Sequence, residues 1–183
     1  MPGIDERQIL HSLQNPETQR DAFSEVVRAY SERLYWVIRR MVLTHDDAND
    51  VLQNVFVKAW LNIESFKGES MLSTWLYKIA VNESITFLNK QRSHQNISID
   101  DTDTFLLSKM ESDSYFDGDE MQKQFQSALL TLPDKQRLVF NMKYFDEMKY
   151  EEISDVLGTS VGALKASYHH AVQKIKDFLS IND

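Results

Sequence analysis

From Ala22 to Val42 apolar residues recur every three or four positions: Phe23, Val26/Val27, Tyr30, Leu34, Val37/Ile38 and Met41. That period fills one face of an α-helix, so the spacing predicts one long amphipathic helix, or two in line. Thr44, with Asp47 three residues on, gives the start signal of the next helix in capping-box form. That helix, about 47–62, turns Leu52, Val55, Phe56 and Ala59 inward. Gly68 in "FKGES" breaks the pattern, and Ser73 is placed to cap a third helix, "TWLYKIAVNESITFLNKQR". Residues 93–120 are polar, acidic and aperiodic, so they read as a flexible linker. Periodicity returns after "TLPD". Thr131 is an expected N-cap, Pro133 sits in a first turn and Asp134 complements the helix dipole there. A helix through about Phe145 follows, then a short one at 150–157, then a longer one from about Val161.

This pattern implies an all-α protein made of two small helical domains joined by an acidic flexible linker. The boundaries are 1–92, 93–120 and 121–183, and the last segment contains a helix-turn-helix. Composition agrees. The 183 residues include only 5 Gly and 3 Pro, and 42% are hydrophobic. With no cysteine, disulfides and thiolate metal sites are excluded. The start "MPGIDERQIL" lacks the basic and apolar regions of a secretory signal. No apolar run approaches the roughly 20 residues that span a bilayer. A cytoplasmic protein without membrane insertion is expected.

Charge changes the picture more. The net charge of −8 is uneven: −1 over residues 1–92, −6 over 93–125 and −1 over 126–183. An acidic balance disfavours nucleic-acid binding, yet here it does so only for the middle. From Val156 to Lys176 there is no acidic residue, while Lys165, Lys174, Lys176, His169 and His170 are present. In this stretch Ile153, Ser154 and Leu157 share one face of the short helix. Gly158 can end it in a left-handed C-cap, and Ser160 can cap the next. Val161, Leu164, Tyr168, Ala171/Val172 and Ile175 make an inward stripe. Gly162, Ala163, Lys165, Ala166, His169 and His170 then face outward. Two helices joined by a short Gly-containing turn form a DNA-reading motif whose second helix enters the major groove. Small outward residues allow close approach, and missing carboxylates avoid repulsion by phosphates. An ordinary helical hairpin that happens to lack acid is the plainer alternative. Metal binding by His169 and His170 is disfavoured, because adjacent residues point to different sides of a helix.

At these residues the chain resembles the bacterial RNA polymerase sigma factors of the extracytoplasmic-function (ECF) type. "DDANDVLQNVFVKAWLNIESFKGESMLSTWLYKIAVN" is similar to their region 2, with Asp50, Gln53, Phe56 and Trp60 in the D-x-x-Q-x-x-F-x-x-x-W pattern. "LPDKQRLVFNMKYFDEMKYEEISDVLGTSVGALKASYHHA" is similar to region 4. The family often reads Gly-Thr-Val-Lys-Ser-Arg where this chain has Gly162-Ala163-Leu164-Lys165-Ala166-Ser167, and Arg where it has His170. The resemblance implies a subunit that binds RNA polymerase core and promoter DNA, is not an enzyme, needs no cofactor, and has an anti-sigma factor as a further candidate partner.

The resemblance also implies three surfaces. Asp50, Gln53, Asn54, Val57 and Trp60 would dock the core. The residues alone also allow a solvated face with a half-buried Trp, although Val57 among polar neighbours suits an interface. Phe66, Lys67, Ser73, Lys78 and Asn82 would hold one unpaired strand of the downstream promoter element. Phe66 and Trp75 are equally explained as core residues. Ser160, Gly162, Ala163, Lys165, Ala166, His169 and His170 would read the upstream element. Asp100, Asp101 and Asp103 of the linker would meet a basic path in the polymerase; the residues alone also allow acid that only keeps the segment soluble and extended. Without the resemblance, a helix-turn-helix regulator that does not bind core, or a fragment of a DNA recombinase, stays open.

Overall fold

The computed structural model describes residues 6–68, 70–94, 108–109 and 120–182. The expected linker, with Asp100, Asp101 and Asp103, lies almost wholly outside the described residues, as does Glu69. Among the described residues there is no strand, and the chain is all-α as its periodicity predicts.

The first half is built from α1 (Glu6–Gln14), α2 (Gln19–Val42), α3 (His45–Leu61), a 3-10 turn (Ile63–Ser65) and α4 (Leu72–His94). The segment 22–42 is one continuous helix, α2, which starts three residues earlier. Leu43 ends it in the left-handed conformation (φ 74°), with its N–H donated to the Arg39 carbonyl. A non-glycine residue there is strained by about 1–2 kcal/mol, and burial of Leu43 holds it in place. The Thr44 hydroxyl accepts the Asp47 N–H, so the N-cap forms. The reciprocal half of the box does not. The Asp47 carboxylate turns to Gln91 and Lys109 instead, because a salt bridge and a neighbouring helix compete for it.

Two expectations shift. Ser73 does not cap α4; the helix already begins at Leu72, and the Leu72 N–H is donated to the Glu6 carboxylate at 3.1 Å. The other Glu6 oxygen accepts from the Tyr30 hydroxyl, so α1 is pinned to both α2 and the start of α4. Similarly, Thr131 does not start a helix. Its hydroxyl donates to the Ala128 carbonyl, at the end of α5 (Glu120–Leu130), and Pro133 takes the N-cap of α6 (Asp134–Tyr144).

The second half continues with α7 (Tyr150–Leu157) and α8 (Val161–Asn182). Gly158 closes α7 at φ 62°, as the turn requires. The Ser160 hydroxyl accepts the Ala163 N–H at 3.4 Å and caps α8. Val26, Leu34, Ile38, Leu72 and Leu76 fill the core of the first half. Leu130, Met142, Met148, Ile153 and Leu164 of the second half join the same buried cluster, while Ala128, Leu129, Phe140, Ala171 and Ile175 form another. The halves therefore touch: α6 packs on α2, and α7 packs on α4.

Candidate nucleic-acid and protein interfaces

On α3, Ala48, Val51, Val55 and Ala59 are fully buried, and Leu52 and Phe56 are half-buried against the core. The opposite stripe is thereby fixed outward. Asp50, Gln53 and Asn54 are exposed and line a recess of about 390 Å³ with Phe87, Lys90, Gln91 and His94 of α4. Val57 continues the row at 53% exposure. Leu61, four residues on and 74% exposed, belongs to it as well. It was missed because a helix-terminal Leu reads as the last core residue of its stripe. Trp60 departs from the row: its ring meets Phe23 of α2 edge-on at 5.0 Å, leaving it 38% exposed.

The second set of residues is only partly brought together. Lys78 and Asn82 are exposed one turn apart on α4, and Lys67 is exposed in the preceding loop. Phe66 is a core residue here, 7% exposed and stacked on Trp75 at 4.8 Å between ring centroids. It supports the loop from below. Ser73 lies about 180° around the helix from Asn82, since each residue turns about 100°. It lines a different recess, of about 130 Å³, with Tyr30, Arg33, Tyr77, Met148 and Glu152. Met148 and Glu152 come from the second half of the chain.

The third set is displayed together. Ser160, Gly162, Ala163, Lys165, Ala166, His169 and His170 are all exposed. The inward stripe holds: Leu164, Ala171 and Ile175 are buried and Tyr168 stacks on Phe140 at 5.6 Å. Tyr150, at the start of α7, was not anticipated. The Lys165 ammonium lies 5.7 Å from its ring centroid and that of Lys143 5.1 Å. Burial and the nearby Tyr168 raise the Tyr150 phenol above its ordinary pKa. The ring stays neutral and presents an electron-rich face to both ammonium groups. Among the described residues no three His, Cys, Asp or Glu side chains gather as metal ligands, and no helix is long and apolar enough to cross a membrane.

Residues 26–94 match the family model of Sigma-70 region 2, and residues 122–175 that of Sigma-70, region 4. The ECF RNA polymerase sigma factor SigW of Bacillus subtilis is 31% identical over 165 residues, covering 86% of this chain and 88% of that protein. The ECF RNA polymerase sigma-E factor of Escherichia coli (strain K12) is 27% identical over 164 residues, 84% of each. CnrH, solved in complex with the cytosolic domain of CnrY, shares the fold with a TM-score of 0.70 at 21% identity, over 97% of this chain and 99% of that one. The sigma factor RpoE in complex with the anti-sigma factor NepR from Bartonella quintana gives 0.66 at 21%, over 88% and 98%.

Proposed function

The chain belongs to the ECF RNA polymerase sigma factors, and we propose how its surfaces divide that work. It binds RNA polymerase core and directs promoter recognition and transcription initiation. The core docks on the outer stripe of α3, through Asp50, Gln53, Asn54 and Val57, with Leu61 extending it. Trp60 contributes its exposed edge. One observation carries this reading: a contiguous row of polar groups ending in two exposed apolar side chains, on a helix whose other side is wholly committed to the core. Such a row resembles the rim and centre of an interface more than a solvated surface.

Unpaired downstream DNA follows Lys67, Lys78 and Asn82. The lysines hold the phosphates and Asn82 can pair with a base edge. Phe66 and Trp75 stiffen the loop rather than stack on DNA. Upstream duplex lies against the front of α8, where Gly162, Ala163 and Ala166 permit close approach and Lys165 supplies a phosphate or base contact. His169 and His170 continue that face. The chain performs no chemistry of its own; its role is binding, in the cytoplasm, as a dissociable subunit. An anti-sigma factor is a further expected partner.

The test is core binding by Asp50→Ala with Gln53→Ala. Desolvated polar contacts of this kind are worth about 1–3 kcal/mol each. Affinity for purified core drops by about tenfold or more while the melting temperature holds. Unchanged affinity would remove α3 as the dock.

A further inference from the structure

Between α4 and α6, with Met41 of α2 at its side, lies a cavity of about 300 Å³ that none of the three surfaces uses. Met41, Ile85, Leu88 and Leu138 make its apolar wall. Met41 and Leu88 are buried, whereas Ile85 reaches solvent. The polar wall brings three cations, Arg92, Lys135 and Arg137, against one carboxylate, Asp134. The local excess is positive in a chain whose net charge is −8.

That one carboxylate is divided. Arg92 donates to it at 3.2 Å and Arg137 at 2.8 Å, and the Asp134 side chain is itself 57% exposed while that of Arg137 is 7% exposed. A guanidinium carries five N–H donors, so a shared, wet carboxylate leaves donor capacity over. Asn141 lines the same cavity and is 5% exposed. Among the described residues neither the Arg92 Nε nor the Asn141 Oδ1 has a hydrogen-bond partner, although both atoms are buried. Buried polar groups are costly unless they are bonded. A cavity left by loose packing alone is apolar and dry. This one offers a cationic donor, an acceptor and an apolar wall together.

We propose that this cavity binds a small organic acid: a carboxylate with an apolar body and a hydroxyl or N–H donor next to the carboxylate. The carboxylate faces the Arg92 and Arg137 guanidinium groups, where charge-assisted bonds are strong. The neighbouring donor serves the Asn141 Oδ1. The apolar body lies on Leu88, Leu138 and Met41, whose thioether suits an aromatic ring. The volume is at the small end of ligand cavities, which favours a single compact acid over a dinucleotide or a lipid. The site rests on neither the polymerase reading nor the DNA reading.

The probe is phenyllactate, titrated into the full chain by calorimetry; it has the carboxylate, the adjacent hydroxyl and a ring. Saturable binding at about 1 mM or tighter is expected for a ligand of this size. Phenylpropanoate lacks the hydroxyl, leaves Asn141 unserved and binds about fivefold more weakly or worse. Phenyllactamide lacks the charge and binds about tenfold more weakly or worse. Arg92→Glu reverses a cation of the wall, and Ile85→Trp fills the cavity from its exposed side. Each lowers phenyllactate affinity about tenfold or more, with helicity checked by circular dichroism. The Met41 methyl signal of the wild-type chain, followed by NMR during the titration, keeps the test decisive if either variant fails to fold. The site is overturned by any of four results: no saturable binding, equal affinity for the amide, full affinity in both folded variants, or a Met41 signal unmoved at saturation. Equal affinity for phenyllactate and phenylpropanoate overturns the role of Asn141.

Discussion

Leu164 and Lys165 are neighbours on α8 with opposite assignments, and exchanging each for alanine separates them. Leu164 is 1% exposed and ties the helix to the core of the second half. Truncation removes three carbons from a packed site, and the lost transfer energy and the cavity together cost about 3 kcal/mol. In a chain of this size that lowers the melting temperature by about 6–12 °C. Lys165 is exposed, with one contact to the Tyr150 face, so Lys165→Ala leaves stability within about 0.5 kcal/mol. Its effect falls on DNA. Each phosphate neutralised contributes about −0.9 to the slope of log affinity against log salt. Losing one contact weakens binding about eightfold at 0.1 M salt relative to 1 M. Titration of duplex DNA across a salt series, alongside thermal melts of both variants, gives all four quantities. If Lys165→Ala left the salt slope unchanged, or if Leu164→Ala changed DNA affinity with no loss of stability, the orientation of α8 would be wrong.

Gly158→Ala meets no atom within 4 Å, so its cost is conformational alone: about 1 kcal/mol for a left-handed alanine, read as a thermal shift, and less for Gly158→Asn. Closure of the halves tightens as pH falls from 7 toward the ordinary carboxylate range. Burial raises the pKa of Asp146, against the opposing pull of Arg40, Tyr77 and Arg33. A carboxyl with a raised pKa in the closed state binds its proton more strongly there, so protonation favours closing, and ionisation above that pKa weakens it. A pH series of radii of gyration checks this, and expansion on acidification would contradict it.

Much of this fold is legible in the sequence because period and caps agree. The stripe of α2, the Gly158 turn and the outward face of α8 each rest on two independent signals: spacing, and a residue suited to the boundary. Where only one signal exists the reading slips. Ser73 and Thr131 are good caps in isolation, but Glu6 supplies the start of α4 from another helix and Pro133 takes the start of α6. Short α1 went unread because its Ile9 and Leu13 make a pattern too brief to stand out. The site follows the same rule. The α8 and α3 faces are local, so helical spacing places them. Ser73 and Asn82 share a helix yet face opposite ways, and Phe66 is claimed by Trp75. Nothing local marks Arg40, Tyr77 and Asp146 as a set, since 69 and 106 residues separate the bonded pairs.

The Asp146 carboxylate, which accepts from Arg40 of α2 and Tyr77 of α4, also bears on how the halves meet. A helical module of about 60 residues, the size of the second half, buries only about 60% of its unfolded surface, so that half leaves apolar side chains short of cover. Met142, Met148 and Ile153 find that cover in a cluster shared with the first half. Apolar contact tolerates small shifts better than a buried charge does, since the charge needs its partners in place. Only one arrangement gives the carboxylate both Arg40 and Tyr77. Burial pushes the pKa of that carboxyl up, against the pull of Arg40, Tyr77 and Arg33. The seam between α2, α4 and the segment after α6 is thus set by one carboxylate whose two partners come from the other half.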